Sequence, residues 1–207
     1  MKSETTTQTT EQLILQAAER EFMQKGYAGA RTSSIAEAAG VTHAMMHYYF
    51  RTKDKLFEKI LSEKISLVRD IMLGSAGDER LPLFERVTKT IEQHFDFFAA
   101  NPDLPRFLVM EVLYNEERLT LIKEQFKRHG PWLIASLQRQ IDEYAARGEC
   151  RKVDAAMLLL DILSLNVFCF VTAPMINTLL NGAMKAENFA ERRKRENIET
   201  IMQKLRP

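Results

Sequence analysis

The stretch of residues 31–50 constrains the fold more than any other part of the chain. It contains two short helical patterns with a glycine, Gly40, between them. Small residues such as Ala36 allow the first helix to lie close to its partner, and Gly40 can adopt the left-handed conformation that closes that helix. Thr42 can accept a backbone N–H and begin the second helix. The pattern predicts a helix-turn-helix, whose second helix enters the major groove of DNA.

Short runs of residues at fixed spacing, within this motif and on both sides of it, form a pattern over about residues 11 to 61. They are Ile14-Leu15-Gln16-Ala17-Ala18, Phe22, Gly26-Tyr27, Ile35-Ala36, Ala39-Gly40-Val41-Thr42 and Tyr49-Phe50-Arg51-Thr52-Lys53-Asp54-Lys55-Leu56-Phe57. This stretch resembles the tetracycline-repressor (TetR/AcrR) family of bacterial transcriptional regulators. The resemblance implies an all-α fold, in which a three-helix DNA-binding head precedes a larger helical domain that binds a ligand and dimerises.

The chain departs from the family pattern at the start of the motif's first helix and within its second helix. Ala30 and Arg31 stand where many members have Ser or Thr, so we expect the N-cap at Thr32. His47 stands where Tyr is more usual, and Met46 where Leu is usual. These changes leave the fold prediction intact.

The residues expected to contact DNA are carried over from the family motif residue by residue. They are Thr32, Ser33, Thr42, His43, Ala44, Met45, His47, Tyr48 and Lys53. Met45 could contact a thymine methyl group and Lys53 a phosphate. His47 and Tyr48 could each serve a base edge or a phosphate, although His47 could instead be half-buried and brace the head against the first helix. Residues 25–55 hold five basic and two acidic side chains, so a local charge of +3 lies at the motif.

Helical periodicity continues through the rest of the chain, without useful strand alternation. The hydrophobic share of 45% and the charged share of 28% allow a substantial core. About nine helices are predicted, over residues 11–25, 32–39, 43–49, 53–74, 81–99, 104–114, 117–147, 154–180 and 187–205. Pro131 either kinks the seventh of these or starts a new helix. We expect residues 1–10 to be a disordered lead-in, 11–52 the DNA-binding domain and 53–207 the effector-binding and dimerisation domain.

The segment 154–180 is apolar nearly all round, which is typical of a helix buried on several sides. One recognition helix reads only a few base pairs, so we expect two chains to bind two half-sites related by a two-fold axis. The resemblance implies that the last two helices of each subunit form the interface. The predicted interface residues are Leu158, Ile162, Leu165, Ile198, Ile201 and Met202. The alternative is that 154–180 is a core helix within one subunit.

Large apolar residues of the middle helices fall at positions that could face inward. As a group they could line a cavity, and the resemblance implies a small apolar effector there, although each residue could equally belong to the core. The carboxylates of Glu111 and Asp161 stand within apolar runs and need a partner, either a ligand or a side chain such as Arg106. The predicted pocket residues are Phe95, Phe98, Phe107, Met110, Glu111, Tyr114, Trp132, Asp161, Phe168 and Met175.

Signatures of other functions are missing from the sequence. It contains no nucleophile elbow, phosphate loop or metal-ligand spacing, and His43 and His47 lack the acidic companion of a zinc helix, so we expect no enzyme, no cofactor and no metal. Neither a membrane span nor a signal peptide is evident, so we expect a protein of the bacterial cytosol, associated with the nucleoid. The resemblance implies a ligand-responsive repressor that binds an inverted-repeat operator as a homodimer and is released by a small apolar effector. The alternative is a helical protein-interaction adaptor that has lost DNA binding.

Overall fold

The computed structural model describes residues 9–127, 129–182, 184 and 188–207, and these residues form helices and no strand. The helices are α1 (Thr10–Gly29), α2 (Thr32–Ala38), α3 (His43–Tyr49), α4 (Lys53–Ala76), α5 (Leu83–Ala100), α6 (Leu104–Val112), α7 (Glu116–Phe126), α8 (Gly130–Ala146), α9 (Ala155–Val171), α10 (Ala173–Leu179) and α11 (Phe189–Leu205). The predicted all-α class is confirmed. The first eight residues, which belong to the predicted lead-in, lie outside the described residues.

The chain divides into two compact units, Met1–Ile65 and Ser66–Pro207. The division falls inside α4, so this one helix contributes residues to both units. The boundary predicted from the sequence, between residues 52 and 53, assigns all of α4 to the second domain instead.

In the first unit, α1 is kinked at Gly26, which has a φ of +67° and a ψ of 177°. A glycine is needed at this position because residues with a Cβ rarely adopt a positive φ. Beyond the kink, the Tyr27 ring packs edge-to-face against Phe57 of α4, and Phe22 packs against the same ring, with both centroid distances 4.9 Å. This aromatic cluster joins α1 to the N-terminal half of α4. The helix end that the sequence predicts at Gly26 corresponds to the kink.

The described residues form eleven helices where about nine were predicted, because two of the predicted helices are each divided in two. Pro131 lies in the first turn of α8, and Pro174 lies in the first turn of α10. Proline is favoured there because the first amides of a helix have no partner within it, so a missing N–H costs little. The predicted helices 117–147 and 154–180 therefore each consist of two.

The core of the second unit is formed by α5, α8, α9 and α11. Its buried residues are Leu83, Val87, Ile91, Leu137, Ile141, Cys150, Ala155, Leu158, Ile162, Ile201, Met202 and Leu205. Four of the six residues predicted for the dimer interface belong to this core, namely Leu158, Ile162, Ile201 and Met202. These four side chains pack against other residues of their own chain, so they do not lie on the exposed surface of α9 and α11. The structure thus corrects the prediction that they form the dimer interface. The other two, Leu165 and Ile198, are half-buried.

A buried arginine holds the C-terminal end of α4 within the second unit. Arg86 of α5 is only 1% exposed. Its Nε donates to the carbonyl of Ala76, the last residue of α4, at 2.8 Å. Its terminal nitrogens donate to Ser136 Oγ and Gln140 Oε1 of α8, each at 3.0 Å. The guanidinium therefore satisfies a carbonyl that the helix itself leaves without a donor, and it joins α4 to α5 and α8.

Replacing Arg86 by Leu should lower the free energy of unfolding by about 2–4 kcal/mol, because a backbone carbonyl and two side-chain oxygens lose a charged donor. Chemical denaturation followed by circular dichroism measures this change. Arg139→Leu is the matched control, since Arg139 is exposed and pairs with Glu79 at 3.3 Å, and its effect should stay within about 0.5 kcal/mol. Equal effects of the two substitutions would contradict the capping role of Arg86.

Candidate functional site

The turn between α2 and α3 has the geometry that the sequence predicts. Gly40 has a φ of +67°, and its amide donates to the Glu37 carbonyl at 3.0 Å. Thr42 is the N-cap of α3, because its Oγ1 accepts a hydrogen bond from the Met45 amide at 3.1 Å. The left-handed glycine and the threonine cap are both confirmed.

The start of α2 differs from the expectation. Its N-cap is Arg31, which makes no side-chain cap, so the prediction of a cap at Thr32 is wrong. The Arg31 amide donates to the Glu21 carboxylate of α1 at 3.2 Å. A hydrogen bond from Lys25 lowers the pKa of that carboxyl, which keeps it ionised as an acceptor. The Thr32 side chain lies instead 3.3 Å from His43 Nε2, so it links α2 to α3.

Helix α3 packs through one side and exposes the other. Met46 is 1% exposed and anchors the helix in the core of the first unit, whereas Tyr48 is 82% exposed. The exposed members of the predicted DNA-contacting set are Ser33, Thr42, His43, Ala44, Met45, His47 and Tyr48. Thr32 and Lys53 are half-buried. The predicted residues of α3 are therefore all available to a partner.

Both histidines of α3 are held by contacts to neighbouring segments. The His47 Nδ1 lies 3.1 Å from the Arg51 carbonyl oxygen, which can only accept, so Nδ1–H donates and Nε2 of the neutral ring is an acceptor. The rings of His43 and His47 meet edge-to-face with centroids 4.5 Å apart. His47 is exposed, so the structure does not support the alternative in which it is half-buried against the first helix. Both rings thus have restricted orientations before any partner binds.

Basic side chains surround the N-terminal end of α4. The Nζ of Lys53 lies 4.6 Å from the centroid of the Tyr27 ring, and the Tyr27 hydroxyl donates to the Asp54 carboxylate. Arg51 and Lys55 are exposed. A helix N-terminus attracts anions through its unpaired amides and its dipole. These cations and the helix end together suit a phosphate group.

The residues predicted to line an effector pocket do not converge on one cavity. Three are buried in the core, namely Phe95, Phe98 and Phe107. Five are exposed at the surface of the chain, namely Met110, Tyr114, Trp132, Phe168 and Met175. The structure corrects the placement of these five, because they lie on the outer sides of α6, α8, α9 and α10 or, for Tyr114, just after α6.

The two carboxylates within apolar runs both have structural partners. Arg118 Nη1 donates to the Glu111 carboxylate at 2.5 Å and to the Glu111 carbonyl at 2.9 Å. Asp161 accepts from the ammonium of Lys204. Arg118 of α7 is therefore a partner of Glu111. Of the two alternatives that the sequence left open, these contacts match structural pairing.

A recess within the second unit lies among other residues. Its enclosed free volume is about 10 Å³, roughly the space of one water molecule. Its lining residues are Met72, Ala76, Thr90, His94, Leu133, Leu159, Ile162 and Leu163. His94 was not among the predicted site residues, although its position in the sequence carries a signal. The residue follows Ile91 by three and precedes Phe98 by four, so a histidine occupies the apolar stripe of α5.

His94 is 3% exposed, and its Nδ1 lies 3.2 Å from Asn166 Nδ2 of α9. The same Nδ2 donates to the Ile91 carbonyl at 3.0 Å, which identifies it as the amide nitrogen. Nδ1 is therefore an acceptor, and the neutral ring carries its hydrogen on Nε2. That Nε2 has no hydrogen-bond partner among the described residues. Burial lowers the pKa of His94 to about 4, so the ring is neutral at physiological pH.

Within the described residues, no group of three or more His, Cys, Asp and Glu side chains could hold a metal ion. Cys150 and Cys169 are both buried, and burial raises the pKa of each thiol. In the same part of the chain, no helix is by itself long and apolar enough to cross a membrane. Only α9 and α10 taken together reach that length and composition, and they are bent by 64°.

Comparison with known families gives two matches that together span most of the chain. Residues 14–60 match the family described as bacterial regulatory proteins, tetR family. Residues 84–201 match the family described as tetracyclin repressor-like, C-terminal domain. The first match contains α2, α3 and the N-terminal end of α4. The second contains α8 and α9 and most of α5 and α11.

Curated relatives include several helix-turn-helix regulators. The transcriptional regulator RutR of Escherichia coli is 24% identical over 94% of this chain and 89% of its own length. The transcriptional repressor SCO4008 of Streptomyces coelicolor is 30% identical over 50% of this chain, and the regulator YdgC of Bacillus subtilis is 27% identical over 54%. The chain spans 50% of the length of SCO4008 and 60% of that of YdgC.

Solved structures share the fold at low identity. FadR of Bacillus subtilis, solved in complex with stearoyl-CoA, is 20% identical with a TM-score of 0.65, over 93% of this chain and 97% of FadR. The putative regulator SCO4942 of Streptomyces coelicolor is 21% identical with a TM-score of 0.63, over 96% of this chain and 100% of that protein. These likenesses concern the fold alone.

Proposed function

This chain belongs to the tetR family of bacterial regulatory proteins, and we propose that it is a repressor that binds an inverted-repeat operator as a homodimer and is released by a small apolar effector. The proposal depends above all on the outward side of α3, where the side chains expected to contact DNA are exposed. The opposite side of that helix is buried through Met46. Tyr48 is close in sequence to the basic residues at the start of α4. Because it is so exposed, it suits a DNA interface better than a role in core packing.

The exposed side chains of α3 suit different parts of a duplex. The Met45 side chain offers an apolar contact to a thymine methyl group. The Tyr48 hydroxyl and the Lys53 ammonium suit phosphate oxygens, which position the protein without reading sequence. His43 and His47 can accept or donate to base edges. Their existing contacts limit the conformational entropy that they would lose on binding.

Dimerisation follows from the small size of the reading element. Helix α3 has seven residues, so two copies are needed to read two half-sites about one helical turn apart, or a multiple of it. Met157, Leu160 and Phe168 are exposed on α9, at intervals of three and eight residues that return to one side of a helix. Large apolar side chains exposed along one stripe are typical of a protein interface. A two-fold axis would place this stripe against its own copy.

Release by an effector requires a link between the two units, and α4 is the helix that both share. Its C-terminal end at Ala76 is held by Arg86, and Ala76 also lines the recess. Three residues separate its N-terminal end from the end of α3. An effector lowers DNA affinity only if it binds the conformation that does not fit the operator more tightly. A coupling free energy of about 1–3 kcal/mol corresponds to a loss of about 5- to 150-fold in operator affinity.

Tyr48→Ala and Lys53→Ala should each weaken binding to the duplex upstream of the chain's own gene by about tenfold, with fold and dimerisation unchanged, because each removes an operator contact. Lys53→Ala should also reduce the dependence of log K on log salt by about one. Gel-shift titrations at several salt concentrations measure both effects. Lys59→Ala is the matched control, since Lys59 is an exposed lysine of α4 that pairs with Glu63.

Wild-type affinity in both the Tyr48 and the Lys53 variants would refute the assignment of α3 as the DNA-binding face. A wild-type protein without preference for any duplex, but still dimeric, would favour the adaptor that has lost DNA binding.

Leu160→Glu should raise the dissociation constant of the homodimer more than tenfold, because dimerisation would then bury two unpaired carboxylates. Leu160 is 51% exposed in the single chain, so the substitution should leave the fold intact. Sedimentation equilibrium measures the association, and circular dichroism checks the fold. Met110→Glu, at an exposed apolar residue of α6, is the control and should remain dimeric. Dissociation by both variants, or by neither, would contradict the α9 interface.

A further inference from the structure

We propose that His94 is the hydrogen-bond donor that selects the effector, and that the effector is an apolar molecule with a neutral oxygen acceptor, such as a carbonyl or ether oxygen. This inference rests on the proposed function, since it names the chemistry of the ligand that would release the operator. It is based on the recess of the second unit, in which His94 is one of the lining residues and its Nε2 lacks a partner among the described residues.

The position of the ring hydrogen follows from a chain of contacts that ends on backbone carbonyls. The Asn197 Nδ2 donates to the Leu165 carbonyl at 3.1 Å and to Asn166 Oδ1 at 2.9 Å. Because a carbonyl only accepts, the amide of Asn197 has one orientation, and Asn166 must present its oxygen to it. The nitrogen of Asn166 then faces the Ile91 carbonyl and His94 Nδ1. Three helices, α5, α9 and α11, thus hold the ring with an N–H on its other edge.

An unpaired N–H inside a protein is costly, since a buried donor without an acceptor has lost its hydrogen bonds to water and gained none. Buried polar groups of folded proteins therefore nearly always have a partner. An apolar side chain at this position of α5 would pack against Phe98, as the His94 ring does, without this cost. The histidine gains a role if a ligand in the recess supplies the missing acceptor.

The remaining lining residues define what else the ligand must be. Apart from His94, the lining contains one polar side chain, Thr90, whose hydroxyl donates to the Arg86 carbonyl at 2.7 Å. The other six are apolar. A charged carboxylate on the ligand would be desolvated there without a cation in the lining to pair with it. The recess thus offers one donor in apolar surroundings, which matches a largely hydrocarbon molecule with one neutral acceptor.

The recess is narrow, so a ligand must open it. Its enclosed free volume is about 10 Å³, roughly the space of one water molecule and far below the usual range of about 300–1,000 Å³ for ligand pockets. Even an aromatic ring with a short acceptor-bearing substituent would therefore have to displace lining side chains of α4 or α9. That displacement would act on the helices that carry Met72 and Leu159.

Two probes of nearly the same shape, acetophenone and α-methylstyrene, test this proposal. Acetophenone has a carbonyl oxygen where α-methylstyrene has a methylene group. Titration of the full-length wild-type protein, labelled with ¹⁵N in its histidines, gives the affinity of each probe and reports on the ring nitrogen of His94. Acetophenone should bind roughly two- to tenfold more tightly, as expected for one neutral hydrogen bond. It should also shift the Nε2 resonance of His94 much more than α-methylstyrene does.

Two substitutions separate the donor from the structural contact. His94→Asn keeps an acceptor near the position of Nδ1 for Asn166 but removes the donor at Nε2, so the preference for acetophenone should disappear. His94→Gln keeps an N–H near the position of Nε2, so the preference should persist. A residue with only a structural role would not change the ratio of the two affinities. If either variant fails to fold, the wild-type ratio and the Nε2 shift still decide.

Equal wild-type affinity for the two probes would overturn the proposal, as would the absence of binding by either. Persistence of the preference in His94→Asn would also overturn it. Operator binding by the unliganded protein is measured separately, so these failures leave the repressor assignment intact. Conversely, a protein that prefers acetophenone but binds no operator would contradict the proposed function alone.

Discussion

Helix α4 is fixed near both ends by contacts of different kinds, and the proposed coupling depends on both. Near its start, Phe57 packs against the rings of Phe22 and Tyr27 within the first unit. At its end, the carbonyl of Ala76 accepts from the buried guanidinium of Arg86 within the second unit. The proposed coupling requires α4 to transmit a displacement at the recess to the residues that follow α3.

The histidines differ in burial and in hydrogen-bond partners, and these differences suit them to two different roles. His43 and His47 are exposed, and contacts to Thr32 and to the Arg51 carbonyl restrict their rings while leaving surface for a partner. His94 is buried, and its contact with Asn166 orients an Nε2 donor that has no partner in the part of the chain that the structure describes. The first pair suits a wet, charged surface such as the groove of a duplex. The buried ring suits a small ligand that carries little charge.

Local rules explain which features could be predicted from the sequence. Gly40 and Thr42 act within a few residues of chain, so the turn and the cap of α3 follow from residue chemistry alone. Helix α9 is different, because nearly every residue is apolar and no periodicity identifies its inner side. Leu158 is consequently buried and Leu160 exposed, which only the packing of α5, α8 and α11 decides. Trp132 was misplaced for the same reason, since its helix carries apolar residues on more than one side.

The account rests on two α3 helices held at a fixed separation, and selection of binding sites from a pool of random duplexes tests this most directly. The recovered sequences should contain an inverted repeat whose half-sites are centred one helical turn apart, or a multiple of it. Insertion of half a turn between the half-sites should abolish binding by turning one half-site to the opposite face of the duplex. Recovery of unrelated sequences, or of a single half-site that binds as well as the repeat, would contradict the account.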